Sequence, residues 1–384
     1  MNNISIQNSM IRTQCVICNT SAPIKEFHRL NNYPITPSSS SLGPESDECQ
    51  DCIFAACNAC GTVQLQNLID PVKLYENSHN STENTPTWKE HHRLFSDFIS
   101  QNATTSAVLE IGGNSGVLYN LLADRFPSYT ILDICDSKNR PTTVKFLQGN
   151  CEEYDMSGHS HIILSHTFEH LYHPRKFIEN LAKAAVDSVY ISIPNMEHLY
   201  RSKNISIIHN EHTFFVGDKE IRDVFSEYGY SCHSSRNFKT HSTFYYFSYL
   251  QDIAHTMPIQ VSSPSIHKRH TEIIEFLSQF EERIQKIRLD KPTFICPAGH
   301  YGQKIYYYLQ GFYPYIKGFI DNDPLKQGLR VYGTPCTVYS PDILSQYTGE
   351  SICCILYAGP YTQELQSQLN RLHPSVEILD LSAD

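Results

Sequence analysis

Between residues 88 and 250, short β-rich apolar runs alternate with helical stretches, and no other feature constrains the fold as tightly. The runs are AVLEIG from Ala107, YTILDIC from Tyr129, HIILSHTF from His161 and SVYISIP from Ser188. Spaced for βα units, they predict a parallel sheet covered by helices, an α/β architecture. Past a linker-like MPIQVSSPS, the stretch from Lys268 to Leu289 sets Ile273, Phe276, Leu277, Phe280, Ile284 and Ile287 at helical spacing. This predicts a long amphipathic connector. PTFICPAGHYG, YIKGFIDND and SICCILYAG then repeat the strand, glycine turn and helix rhythm on a smaller scale, as a second Rossmann-like unit. A chain of 384 residues exceeds one ordinary core. The expected division is residues 1–87, 88–260 and 261–384.

The composition, 40% hydrophobic and 18% charged, supports a buried core rather than disorder. A formal net charge of -10, with no basic stripe to reverse it locally, argues against nucleic acid as a partner. The N-terminal stretch has no continuous apolar run of the signal-peptide kind, and no stretch reaches the length of a membrane span. A cytoplasmic protein acting on a small molecule, away from membranes, is the expectation.

The strand from Val108 ends in Glu110 and runs into Gly112, Gly113, Asn114, Ser115 and Gly116 directly before a helical run. Glycines there allow a ligand close to the backbone. A carboxylate at the strand end would repel a pyrophosphate and suits a cationic ligand. Asp133, ending the next strand about 20 residues on, stands where such sites place an acid against ribose hydroxyls. S-adenosylmethionine, which carries a sulfonium and an ammonium, fits this pattern. Glu110, Gly112, Asn114, Gly116 and Asp133 are the candidate cofactor contacts, with His166 at the end of the fourth strand. The competing reading makes Glu110 and Asp133 solvated strand ends beside another kind of nucleotide site.

Six of the 13 cysteines form three C-x2-C pairs near the start, separated by the loop PITPSSSSLGPESDE, which reads as too polar to pack. Cys15, Cys18, Cys57 and Cys60 suit a tetrahedral structural zinc, with Gly61 making the tight turn behind Cys60. Cys49 and Cys52 leave the choice of thiols open, and free thiols or a redox pair are the alternative.

The cysteine pairs with CGTVQL, VLEIGGNSG, and LSHTFEHLYHP followed by IPNM and HNEHTFF occur together over nearly the whole chain. In this the chain resembles the three-domain sugar C-methyltransferases of deoxysugar biosynthesis. The resemblance implies a class I methyltransferase Rossmann-like sheet flanked by an N-terminal zinc-binding domain and a C-terminal Rossmann-like domain. It implies a nucleotide-linked keto-deoxysugar as acceptor, with a base removing a proton beside the ketone before the carbon attacks the methyl group. A Tyr-x-Glu-His segment of the family aligns with His209-Asn210-Glu211-His212, so His209 replaces the tyrosine. His212 is the expected base, Glu211 its orienting partner or a substrate contact, and His209 a third catalytic candidate.

Two segments depart from the family pattern. Thr240-His241-Ser242-Thr243 lacks two glycines, which leaves room for O- or N-methylation of another sugar or metabolite. The C-terminal glycine turn reads Pro297-Ala298-Gly299-His300-Tyr301-Gly302, with Lys304 nearby and Asp321 as either a ribose partner or a strand end. A binding module without catalysis is the remaining alternative.

Overall fold

A computed structural model describes residues 10–18, 20–76, 85–137, 140–250 and 264–381. The linker-like residues 257–263 and the expected domain boundary at 260/261 lie outside the described residues.

The chain begins with β1 (Ile24–Pro34), β2 (Ser39–Ser40), β3 (Cys49–Cys57), β4 (Val63–Leu65) and a short helix α1 (Pro71–Glu76). Next come α2 (Pro86–Asn102), β5 (Ala107–Ile111), α3 (Val117–Leu122), β6 (Ser128–Asp133), β7 (Lys145–Gln148), β8 (His161–Ser165), α4 (Pro174–Lys183) and β9 (Ser188–Pro194). They are followed by α5 (Met196–Arg201), β10 (Phe214–Phe215), α6 (Asp218–Ser226), β11 (Tyr230–Phe238) and β12 (Ser242–Tyr249). The last part holds α7 (Pro264–Lys286), β13 (Thr293–Cys296), α8 (His300–Leu309), β14 (Ile316–Ile320), β15 (Arg330–Val331), β16 (Val338–Tyr339), β17 (Cys353–Leu356), α9 (Thr362–Leu372) and β18 (Glu377–Asp380).

The central sheet runs β11-β12-β9-β8-β5-β6-β7. Its neighbours are parallel from β9 to β7, and β12 is antiparallel to both β9 and β11. The four predicted runs are β5, β6, β8 and β9. This is the class I methyltransferase Rossmann-like fold. The chain lays down β5, β6 and β7 in one direction and then crosses back to β8, so strand order reverses between β5 and β8. In open α/β sheets, ligands bind at the carboxyl ends of the strands flanking such a reversal.

Alternation along each strand sends side chains to opposite faces. Val108 and Ile163 pack with Phe95, Phe98 and Ile99 of α2, while Leu109, Ile162 and Leu164 pack with Phe177, Ile178 and Leu181 of α4. Both faces of the sheet are therefore covered. Cys15, Ile17, Cys18, Cys57 and Cys60 join the second of these cores, which seats the cysteine region on the α4 side.

A second sheet, β16-β14-β13-β17-β18, is parallel throughout. The connector helix α7 buries Ile273, Phe276, Leu277, Phe280 and Ile284 in a core shared with Leu30, Phe54, Ile305 and Ile355. The third sheet, β1-β3-β4-β10, is antiparallel and takes β10 from the stretch between β9 and α6. The polar loop after β1 packs, contrary to expectation. Its Ser39 and Ser40 pair with β15, and Asp47 accepts two hydrogen bonds of 2.6 Å from the Arg330 guanidinium. A bidentate carboxylate–guanidinium pair compensates for the lack of apolar residues in that loop. Among the described residues, no helix is long and apolar enough to cross a membrane.

Candidate active site

A cavity of about 1880 Å³ opens at the carboxyl ends of β5 and β6, large enough for two ligands side by side. Gly112, Asn114, Asp133, Tyr75, His166, His170 and Glu211 all line it. Gly112 has a φ of 72°, and a Cβ there would lie 2.4 Å from the Thr167 hydroxyl. The turn therefore requires glycine on conformation and on space. Asp133 accepts the Asn114 N–H at 3.1 Å and the Cys135 N–H at 3.1 Å, which locks its carboxylate at the strand end. Burial raises the pKa of this carboxyl. Glycine turn and fixed acid together fit the nucleoside and amino-acid ends of S-adenosylmethionine.

Glu110 lies behind the glycine turn. By alternation it shares the face of Val108, and the residue is only 3% exposed, its carboxylate accepting a 2.9 Å hydrogen bond from the Tyr129 hydroxyl. It is absent from the cavity wall. A Cβ on Gly113 would lie 2.6 Å from the Glu110 carboxyl carbon, so Glu110 supports the turn from behind. Burial pushes its pKa up to about 7. Gly116 also stands back from the wall and caps α3 with a φ of 75°.

The His209–His212 segment divides differently from its expected roles. Glu211 faces the cavity, whereas neither His209 nor His212 lines it. The His209 and His212 rings stack with centroids 4.5 Å apart, and His212 meets His170 edge to face at 4.9 Å. Nδ1 of His209 accepts the Glu211 N–H at 3.2 Å, which assigns its proton to Nε2, 4.0 Å from a Glu211 carboxylate oxygen. Burial raises the Glu211 pKa to about 7 and holds both imidazoles well below their ordinary value. His166, lowered by burial to about 3, is neutral and shares a 2.7 Å hydrogen bond between Nε2 and the Ser242 hydroxyl.

Several partners had no readable sign in the sequence. The Tyr75 hydroxyl lies 2.6 Å from Nδ1 of His170. Trp88, the sole tryptophan, packs its ring 4.9 Å from His166 and 4.8 Å from His241. Lys304 is 4% exposed and donates to the carbonyls of Ile205 and Ile208, holding the turn that leads into His209. Asp321 accepts the Ala298 N–H at 3.1 Å and pairs with Lys326 at 3.0 Å, closing the C-terminal glycine turn as a strand-end support.

The sulfurs of Cys15, Cys18, Cys57 and Cys60 lie within 4.8 Å of one another, with 3.6 Å between Cys15 and Cys60 and between Cys18 and Cys57. Four buried thiols at this separation suit a tetrahedral zinc. Cys49 and Cys52 stay out, because both lie on β3 opposite Pro34 and Leu30. An offset of three along a strand sends two side chains to opposite faces, so this pair cannot close on one ion.

A family model described as a methyltransferase domain matches residues 87–235. No curated protein matches the chain. Among solved structures, the chain is similar to the magnesium protoporphyrin IX methyltransferase of Synechocystis PCC 6803 with bound S-adenosylhomocysteine, at 14% identity over 43% of this chain and 84% of that one, TM-score 0.35. It is also similar to the N-methyltransferase NodS of Bradyrhizobium japonicum, at 13% identity over 44% and 89%, TM-score 0.35. A third is the 1,6-didemethyltoxoflavin N1-methyltransferase of Burkholderia thailandensis, at 10% identity over 52% and 95%, TM-score 0.39.

Proposed function

We propose that this chain, an S-adenosylmethionine-dependent methyltransferase through its residues 87–235, methylates the carbon beside the ketone of a nucleotide-linked keto-deoxysugar. Glu211 carries this reading. It is a carboxylate on the wall of the cavity that also exposes the glycine turn and Asp133, in the segment that resembles the proton-abstracting stretch of sugar C-methyltransferases. A C–H beside a carbonyl becomes removable when a base is positioned against it and the developing negative oxygen is stabilised. Glu211 takes that proton, and His209 orients it through the Nδ1 contact to its backbone. Gly112, Asn114 and Asp133 hold the cofactor, which when bound supplies an electrophilic methyl group on a sulfonium.

The same reading divides the chain into an N-terminal domain with zinc on Cys15, Cys18, Cys57 and Cys60, the methyltransferase domain, and a C-terminal Rossmann-like domain, acting in the cytoplasm. Its test uses methyl-labelled S-adenosylmethionine and a panel of nucleotide-linked keto-sugars with their hydroxyl counterparts. A new carbon–methyl bond next to the ketone, lost in Glu211→Gln, is expected. Label found only on oxygen or nitrogen contradicts it.

A further inference from the structure

Glu169 is buried to 3% exposure, and neither oxygen of its carboxylate makes a hydrogen bond. Nδ1 of His166 lies 3.2 Å from one of them without hydrogen-bonding to it, and the other nitrogen of that ring is taken by Ser242. Buried carboxylates persist when a hydrogen-bond donor or a cation compensates them. Two further imidazoles stand next to Glu169: one of its carboxylate oxygens and one ring nitrogen each from His170 and His212 lie within 4.8 Å of one another.

We propose that Glu169, His170 and His212 bind a divalent first-row transition-metal ion. One carboxylate and two imidazoles with open positions form a recurrent donor set for such ions, and imidazole disfavours magnesium or calcium. The Tyr75 hydroxyl on Nδ1 of His170 matches the outer contacts that orient ligating imidazoles. His170 lines the cavity, with Glu169 and His212 behind it, so the site borders the proposed acceptor space through His170. Held by Glu169, His170 and His212, such an ion would supply Lewis-acid polarisation of an acceptor carbonyl. That last role rests on the proposed methyl transfer; metal binding itself does not. The donor set also differs from that of the four thiols, which offer sulfur alone.

The test titrates Mn²⁺ alone into the full-length, zinc-loaded protein, without S-adenosylmethionine or acceptor, and follows loss of the free-ion EPR signal. One Mn²⁺ per chain is expected, with affinity at least about tenfold weaker in Glu169→Gln and in His212→Asn. Zinc content and melting temperature should stay native in those variants, and Asp133→Asn should bind Mn²⁺ normally. If either variant misfolds, pulsed EPR of Mn²⁺ bound to the native chain decides, with nitrogen couplings from imidazole expected. Absent binding, absent nitrogen couplings, or undiminished binding in both folded variants overturns the proposal. A chain that binds Mn²⁺ but transfers no methyl group contradicts only the proposed function, and one that methylates without binding a cation contradicts only this site.

Discussion

Arg12 and Thr213, 201 positions apart, are joined twice: the buried guanidinium donates to the Thr213 carbonyl and, at 3.1 Å, to its hydroxyl. The same guanidinium donates to the Tyr172 carbonyl at 2.8 Å. Thr213 follows His212 directly, and Phe214 and Phe215 add a strand to the N-terminal sheet opposite Val63 and Gln64. The N-terminal region therefore holds the segment that carries Glu211.

Arg12→Ala leaves the Thr213 and Tyr172 groups without their buried donor. A loss of about 2–4 kcal/mol of stability is expected, since hydrogen bonds from charged groups contribute most when their partners stay buried. Urea denaturation measures it. An unchanged midpoint contradicts the role given to Arg12.

Removing the zinc proposed on the four thiols should reach the candidate active site through a short path. Cys60 stands three residues before Val63, which pairs with Phe215. Cys57→Ser, or chelation of the native protein, is expected to lower the melting temperature and methyl transfer together. Metal analysis with thermal melting checks it, and zinc-free protein with native stability counts against it.

The pH dependence of stability should carry the signature of Glu110. Burial raises this acid from 4.5 to about 7 in the fold, partly offset by the hydrogen bond from Tyr129. Between those values the folded chain binds more protons than the unfolded one, so stability falls as pH rises through that window. Glu110→Gln should flatten the fall, measured as denaturation midpoints across the range. An equal slope in the variant contradicts the assignment.

Glu211→Gln removes the proposed base from the cavity wall while keeping its size. Turnover is expected to drop by about 10²-fold or more, with cofactor affinity little changed. Single-turnover kinetics beside calorimetry separates the two. A variant with near-native turnover contradicts the role of Glu211.

The strand rhythm and the glycine turn were legible because both are local patterns: AVLEIG, YTILDIC, HIILSHTF and SVYISIP are β5, β6, β8 and β9. Alternation places Glu110 with the buried Val108, but its position at the strand end was read as a ligand contact or a solvated acid. Cys49 and Cys52 could be set aside only once β3 was known to be a strand, where helix-like or turn-like spacing does not apply. Other contacts depend on closure of the whole chain. Nothing near Arg12 points to Thr213, nothing near Tyr75 to His170, and Asp47 meets Arg330 across 283 positions. Glu211 rather than His212 lines the cavity, and the segment carrying both leads into β10, whose pairing with β4 is a long-range register that no local pattern encodes.

Calorimetric titration of S-adenosylmethionine into the full-length chain tests most directly whether the cavity at the ends of β5 and β6 is a cofactor site. One saturable site is expected, abolished by Gly112→Val, whose side chain would collide with Thr167, and weakened by Asp133→Ala. No binding at millimolar cofactor, or binding unaffected by both substitutions, would contradict it.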